Sequence, residues 1–271
     1  MDAYLLCAGF GTRMRPLTDE TPKSLLPVDG QPLLDHMIDE LRAAEGLDAI
    51  HLVANHRDVD AFRAWADRRR PTLDERGVAL RVYDDGVRTP DEQLGAVGDL
   101  RFLLGKTGVP PDGALVTGGD SLYRFPLAPL LAAFDGTTAQ VLALHEPDPE
   151  RRRHSSVLRL DGDSVVGLTE DPDAAESTRI CPSWYLLPAT ALAAVGPYLD
   201  DGGDPDTLGT FVDALAQTQR VEAVRLPARP HLRLHCNTPE DLERARARLA
   251  EQPRHLLDAD AVRDCVPGRD G

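Results

Sequence analysis

The chain has 271 residues, 42% of them hydrophobic and 28% charged, enough to bury a full core and incompatible with a disordered or fibrous chain. Against 45 Asp and Glu stand 30 Lys and Arg, a formal net charge of −15 that repels nucleic-acid phosphates and anionic lipid and argues against both as partners. No apolar run approaches the roughly 18 residues of a membrane span. The start is apolar without a basic region and meets a glycine turn too early for a signal peptide. Cys7, Cys181, Cys236 and Cys265 lack zinc or disulfide spacing, so the expected setting is the reduced cytoplasm.

Residues 3–8 form a continuous apolar run cut off by Gly9, the pattern of a strand buried on both faces of a parallel sheet. Within 33–46, Leu33, Leu34, Met37, Ile38 and Leu41 share one helical face that Gly46 ends, and 50–54 is a second strand. A helix at 58–69, a strand at 78–83, a helix at 96–105 and a strand at 114–117 continue the alternation. After a helix at 126–134 and a strand at 139–144, the runs 157–160 and 164–168 flank Asp161-Gly162-Asp163 as an antiparallel hairpin. A strand at 181–187, a helix at 188–197, an Asp- and Gly-rich loop at 200–206, a helix at 209–218 and a strand at 221–226 follow. The last clear helix opens at Thr238, which caps it, with Pro239 in the first turn and Glu240 and Asp241 at its positive end. Residues 254–271 have weak periodicity and are expected to be a loosely attached tail. The expected fold is α/β, a predominantly parallel central sheet with helices on both faces and a small antiparallel insert. Ligands belong beyond the carboxyl ends of such strands.

Gly9-Phe10-Gly11-Thr12-Arg13 follows the first strand at once, where two glycines let the backbone turn sharply and aim N–H groups at an anion. A tight strand-to-helix turn uses glycines for structure alone as well. The dinucleotide fingerprint needs glycine where Met14 stands, and the glycine-lysine pair of a P-loop is missing. Arg13, Arg15 and Lys23 follow in a stretch with little hydrophobic purpose, Lys23 being one of two lysines in the chain. Cations beside such a turn imply a polyphosphate. Asp120, in Leu115-Val116-Thr117-Gly118-Gly119-Asp120-Ser121, ends a buried strand, a place that suits a magnesium ligand and also a turn former or helix cap.

The runs Leu6-Cys7-Ala8-Gly9-Phe10-Gly11-Thr12-Arg13-Met14-Arg15-Pro16-Leu17-Thr18 and Pro22-Lys23-Ser24-Leu25-Leu26-Pro27-Val28 resemble the signature of the sugar nucleotidyltransferases, the nucleoside-diphospho-sugar pyrophosphorylases. The resemblance covers roughly residues 1–250, most strongly to about 122. It implies a Rossmann-like nucleotidyltransferase fold in which an NTP and a sugar 1-phosphate, or a related phosphomonoester, are joined with release of pyrophosphate, using Mg²⁺ or Mn²⁺. It further implies a nucleotide-binding half over about 1–122, an acceptor-binding half over about 123–250 and a C-terminal tail at 251–271. In the first half, Ala8, Gly9, Gly11 and Thr12 would wrap the nucleotide, Arg13 and Lys23 would hold the triphosphate, and Asp120 would bind the metal. Arg13, Lys23 and Asp120 are thus the expected catalytic set. Gln93 and Gly95 match the family's segment beside the nucleobase, although a helix start in the core explains the same residues.

In the second half, Glu170-Asp171-Pro172 matches a Glu-Lys-Pro motif with Asp171 reversing the charge. Trp184 and Tyr185 match the segment along the sugar site, and His235 stands where the family has a second metal-binding acid. Glu170, Trp184, Tyr185 and His235 are therefore the expected acceptor-binding residues. Asp204, Asp206 and Glu170 are candidates for the missing carboxylate, since imidazole is a poor ligand for Mg²⁺ and suits Zn²⁺ or Mn²⁺ better. His231 and His235 share one face of a short strand and are also readable as ordinary polar side chains. A homo-oligomer is compatible with the resemblance. Asp171 and His235 keep two other functions open: transfer to a non-sugar such as phosphocholine or an inositol phosphate, and nucleotide binding for regulation without catalysis.

Overall fold

In the computed structural model, which describes residues 1–174 and 176–268, the first apolar run is β1 (Asp2–Leu6). Its side chains alternate between the two faces of the sheet, Ala3 and Leu5 joining one core and Tyr4 the other. A short ribbon of β2 (Pro27–Val28) and β3 (Gln31–Pro32) leads into α1 (Leu33–Ala43), whose Leu34, Met37, Ile38 and Leu41 enter the first core. β4 (Ala49–Ala54), α2 (Val59–Asp74), β5 (Ala79–Asp84), α3 (Ala96–Thr107) and β6 (Ala114–Gly118) complete the alternation. β4 and β5 lie on one side of β1 and β6 on the other, all parallel. This reversal of strand order opens a crevice at the carboxyl ends of β1 and β6, where the register sets Leu6 opposite Gly118.

Past β7 (Ser121–Tyr123) and α4 (Ala128–Ala133), β8 (Ala139–His145) re-enters the sheet. α5 (Pro149–Arg152) precedes the hairpin of β9 (Ser156–Asp161) and β10 (Ser164–Thr169). The expected strand at 181–187 is two strands, β11 (Arg179–Cys181) and β12 (Trp184–Leu187), broken where Pro182 has no N–H to give and Ser183 takes a φ of 54°. The next helix is likewise divided into α6 (Ala189–Ala193) and α7 (Val195–Asp200), because Pro197 offers no N–H to the Ala193 carbonyl. α8 (Leu208–Ala216), β13 (Val221–Arg225), β14 (Arg233–His235), α9 (Pro239–Glu251) and α10 (Ala259–Arg263) close the chain.

The sheet is ten-stranded in the order β11-β9-β10-β13-β8-β12-β6-β1-β4-β5. It is mixed: β12 runs antiparallel between β6 and β8, and the hairpin extends the same sheet at its edge. β14 pairs with β7 in a separate antiparallel ribbon. A small third core of Met14, Leu26, Leu122, Leu234, Cys236 and Leu242 ties the signature loop to that ribbon and to α9. The loose tail expected from sequence is corrected, because Leu257, Val262 and Val266 are buried in the first core. Arg124, 0% exposed, donates from Nη1 to Gln252 Oε1 at 2.9 Å and from Nη2 to the Pro253 carbonyl at 2.6 Å, clamping the segment down. Among the described residues no helix is long and apolar enough to cross a membrane.

Candidate active site

A cleft of about 550 Å³ opens at the carboxyl ends of β1 and β6 and brings together Gly9, Gly11, Thr12, Arg13, Lys23 and Asp120. Gly11 holds φ 62° and ψ 31°, and a Cβ there would meet Thr18 Cγ2 at 3.0 Å. The carbonyls of this loop are pinned from outside. Asn55 Nδ2 donates to the Ala8 oxygen at 3.0 Å, Arg57 Nη2 to the Phe10 oxygen at 3.2 Å, and Thr18 Oγ1 to the Gly11 oxygen at 2.8 Å. Among the described residues, the N–H groups of residues 8–11 have no protein acceptor. Fixed oxygens and spare amides make the loop a set of donors for an anion.

Across the cleft, four side chains close a ring of hydrogen bonds. Lys23 Nζ donates to Asp120 Oδ2 at 2.8 Å and to Asn237 Oδ1. Asn237 Nδ2 lies 3.1 Å from His235 Nδ1, and His235 Nε2 lies 3.1 Å from Asp120 Oδ2. Because an amide nitrogen only donates, His235 Nδ1 accepts and Nε2 carries the proton that it donates to Asp120. Ser121 Oγ donates to Asp120 Oδ1 at 3.2 Å, and Arg233 Nε donates to Ser121 Oγ at 2.9 Å. Burial works against charge on Asp120, but Lys23, His235 and Arg233 outweigh it and hold the carboxyl well below its ordinary range. Burial, with Arg233 next, brings His235 down to about 4, so its imidazole is neutral near pH 7.

The fold supplies this convergence through two close approaches. A Cβ on Gly119 would stand 2.5 Å from Cys7 Sγ and 2.9 Å from Ser24 Oγ, so glycine lets the end of β6 close on the end of β1. The β14–β7 register sets His235 opposite Ser121, and the Cys236 N–H donates to the Asp120 carbonyl at 3.1 Å. Thr238 and Asp241 form a capping box at the start of α9, fixing the turn that carries Asn237.

Of the other expected residues, Gln93, Glu170 and His235 line the cleft. Ala8 lies buried behind the loop, contributing its anchored carbonyl. Gly95 is also absent from the cleft wall: at φ 77°, a Cβ would fall 2.3 Å from the Pro205 oxygen, and glycine serves the packing of α3 against the 200–206 loop. The expectation for Trp184 and Tyr185 is corrected, since they are 0% and 1% exposed on β12 and fill the two cores. Their neighbour Ser183 lines the cleft instead. The charge-reversed Asp171 is exposed and does not line it.

Among the described residues, Glu170 and Asp206 line the same cleft as Asp120, but neither they nor Asp204 share a hydrogen-bond partner with it. Glu170 accepts Ser156 Oγ on both oxygens at 2.8 Å, burial raises its pKa, and Asp204 accepts the Asp206 N–H at 2.8 Å within its own loop. Among the described residues, no three His, Cys, Asp or Glu side chains gather to hold a metal ion. Sequence reasoning missed Asn55, Arg57 and Thr18 behind the glycine loop, and Ser121, Arg233 and Asn237 beside Asp120. The period of two that groups His231 with His235 also points to Arg233 and Asn237; Thr18 lies within the quoted signature run, whereas Asn55 and Arg57 carry no local signal.

The family model described as nucleotidyl transferase matches residues 2–225. UTP–glucose-1-phosphate uridylyltransferase AglF of Haloferax volcanii is 25% identical over 264 residues, 93% of this chain and 98% of that protein. N-acetylmuramate alpha-1-phosphate uridylyltransferase of Caulobacter vibrioides is 31% identical over 261 residues, 92% of this chain and 97% of that one. The structure of UDP-glucose pyrophosphorylase from Acinetobacter baumannii shares the fold, with a TM-score of 0.70 at 20% identity over 93% of this chain and 94% of that chain. The matched span runs through the glycine loop, Lys23 and Asp120, so the chain belongs to the nucleotidyl transferase family, and within it to the sugar nucleotidyltransferases.

Proposed function

We propose that this protein joins an NTP to a sugar 1-phosphate, giving an NDP-sugar and pyrophosphate. The observation that carries this reading is the Lys23–Asp120–His235–Asn237 ring facing the spare amides of residues 9–11 across one cleft. The triphosphate lies along those amides, with Arg13 and Lys23 on its β- and γ-phosphates. A phosphate oxygen of the acceptor attacks the α-phosphorus, and the bond to the bridging oxygen of the β-phosphate breaks. The electron pair leaves on pyrophosphate, where the Lys23 ammonium meets it. The nucleophile is already an anion, so no residue removes a proton and no covalent enzyme intermediate forms; positioning and fixed charge do the catalysis. Glu170, Ser183 and Thr207, which also line the cleft, offer hydrogen-bonding groups to sugar hydroxyls.

The donor set fits a divalent cation that arrives with the triphosphate. Asp120 is held ionised, its Oδ1 is engaged by Ser121 alone, and one carboxylate plus substrate phosphates is an ordinary environment for Mg²⁺. His235, with its proton aimed at Asp120, orients the carboxylate rather than ligating. When bound, Mg²⁺ or Mn²⁺ neutralises phosphate charge.

The test is pyrophosphate release with each common NTP against a panel of sugar 1-phosphates and other phosphomonoesters, in Mg²⁺ and in Mn²⁺. The expected signal requires both substrates and disappears in Asp120→Ala. Product from phosphocholine or an inositol phosphate alone would replace the sugar, and NTP binding without product from any pair would replace catalysis with regulation.

A further inference from the structure

Beside the cleft lies a second cavity of about 440 Å³ that shares Arg13, His235 and Asn237 with it. Apart from Arg13, every residue lining it comes from the acceptor half, after position 143. Six arginines face it, Arg13, Arg151, Arg229, Arg233, Arg244 and Arg248, against the carboxylates Glu146, Glu150 and Asp241. In a chain of net charge −15 this is a concentration of the opposite sign. The carboxylates are already engaged: Asp241 pairs with Arg244 and accepts Thr238, Glu150 faces Arg153 at 3.5 Å, and Glu146 lies 3.8 Å from Arg151. Among the described residues, Arg13, Arg229, Arg233 and Arg248 have no carboxylate within ion-pair distance. Leu144, Ile180, Leu232 and Leu234 give the cavity an apolar wall, which strengthens charge recognition within it.

Arg233 connects this cavity to the reacting centre. It stands two residues before His235 on the same face of β14, roughly 7 Å along the strand, and its Nε is fixed by Ser121, the residue that bonds Asp120. Both Nη groups are left for two parallel hydrogen bonds, the geometry in which guanidinium takes a carboxylate or a phosphate. The two cavities meet at Arg13, His235 and Asn237, so an acceptor whose 1-phosphate reacts beside Asp120 can extend one substituent of its sugar over this fork while its other hydroxyls stay in the cleft.

We infer that the acceptor bears a second anionic group, a carboxylate or a second phosphate, and that Arg233, flanked by Arg151 and Arg248, receives it. This rests on the proposed transfer reaction and narrows its acceptor from sugar 1-phosphates at large to acidic ones. Arg233 is then a specificity-determining residue, and a neutral hexose 1-phosphate leaves the arginine cavity unfilled.

The experiment compares kcat/KM for glucose 1-phosphate, glucuronic acid 1-phosphate and glucose 1,6-bisphosphate with the NTP that supports transfer. The wild-type protein is expected to favour one acidic acceptor by about tenfold to a hundredfold, mainly through KM, the range of a charge-assisted pair. The arm that carries the preference separates carboxylate from phosphate. Arg233→Gln should erase the preference, and the double variant Arg151→Gln/Arg248→Gln, on the cavity rim, should reduce it and stands as the measurement if Arg233→Gln fails to fold. Equal or better use of glucose 1-phosphate by the wild type, or a preference that survives both variants, overturns the inference. If no acceptor is turned over, calorimetric binding of glucose 1,6-bisphosphate decides: binding that Arg233→Gln abolishes upholds the anion site while the transfer reading fails, and binding indifferent to Arg233, or none, overturns both.

Discussion

On the nucleotide side of the cleft the phosphate donors are backbone amides, freed because Asn55, Arg57 and Thr18 hold the neighbouring carbonyls. Close approaches there leave no room for a Cβ at Gly95 or Gly119. On the acceptor side the polar groups are side chains, with Arg233 and His235 on a three-residue strand and Asn237 just beyond it. The first wall is therefore specified by the path of the chain and tolerates almost no change of residue. The second can be rewritten one side chain at a time without moving the backbone, which makes it the place where acceptor choice is set. Substitutions on the two walls should accordingly fail in different ways, the first by unfolding and the second by altered chemistry.

The largest effect should come from a single methyl group packed behind the nucleotide wall, where α3 meets the 200–206 loop. Gly95→Ala sets a Cβ 2.3 Å from the Pro205 oxygen at a φ of 77°, combining a backbone clash with a conformation alanine resists. A loss of about 4 kcal/mol in the unfolding free energy is expected by urea titration. An unchanged midpoint would mean that the 200–206 loop yields freely and that this wall is less rigid than its geometry implies.

Lys23 sits at the seam between the walls, and its effect should be on rate. Lys23→Ala removes the charge beside the departing pyrophosphate and is expected to lower turnover by about 10²- to 10³-fold. The unfolding free energy should move by no more than about 1 kcal/mol, since His235 and Ser121 still hold Asp120. Stability falling in step with turnover would reduce Lys23 to a structural tie.

How much of this was legible in the sequence follows the same division. The strand ended by Gly9, the glycine loop, Lys23 and Asp120 are contiguous signals, because recognition by backbone leaves a motif of small residues. The cap at Thr238 was equally plain, and its structure is a full capping box. What escaped depends on which distant segments meet. Asn55 and Arg57 act on a loop more than 40 residues away. Arg233 gains its meaning only once β14 pairs with β7. Trp184 and Tyr185 were in a matching segment, yet β12 runs between β6 and β8 and turns both rings into the cores. The terminal segment shows little helical period because it is held at separate points, by Arg124 bonding the Gln252 side chain and the Pro253 carbonyl and by the buried Leu257, Val262 and Val266.

A smaller effect is expected where the acceptor wall departs from its family pattern. His235→Asp exchanges a neutral donor for a second carboxylate beside Asp120, and two like charges in one site favour a divalent cation. Direct binding of Mn²⁺ without nucleotide should tighten by about tenfold, roughly 1.4 kcal/mol, with stability near pH 7 reduced without metal and restored by it. Unaltered Mn²⁺ binding would mean that the two side chains do not converge as the ring requires.

A pH-dependent effect is expected from a buried carboxyl packed behind the nucleotide wall. Asp99 is buried in the first turns of α3, its Oδ1 has no partner among the described residues, and burial, with Asp85 next, pushes its carboxyl up to about 7. A folded pKa above the unfolded value means that stability is fully present below about pH 4 and is lost as pH rises through about 7. Asp99→Asn carries no charge to bury, so it should nearly match the wild type at pH 4 and exceed it by up to about 4 kcal/mol at pH 8, flattening the profile between. Unfolding curves at several pH values read this directly, and parallel profiles for the two proteins would remove Asp99 as their cause. NTP affinity sharpens the outcome: if it is unchanged, the carboxyl is a cost the core tolerates, whereas a fall in affinity alongside the gain in stability would tie Asp99, which does not line the cleft, to nucleotide binding through the position of α3.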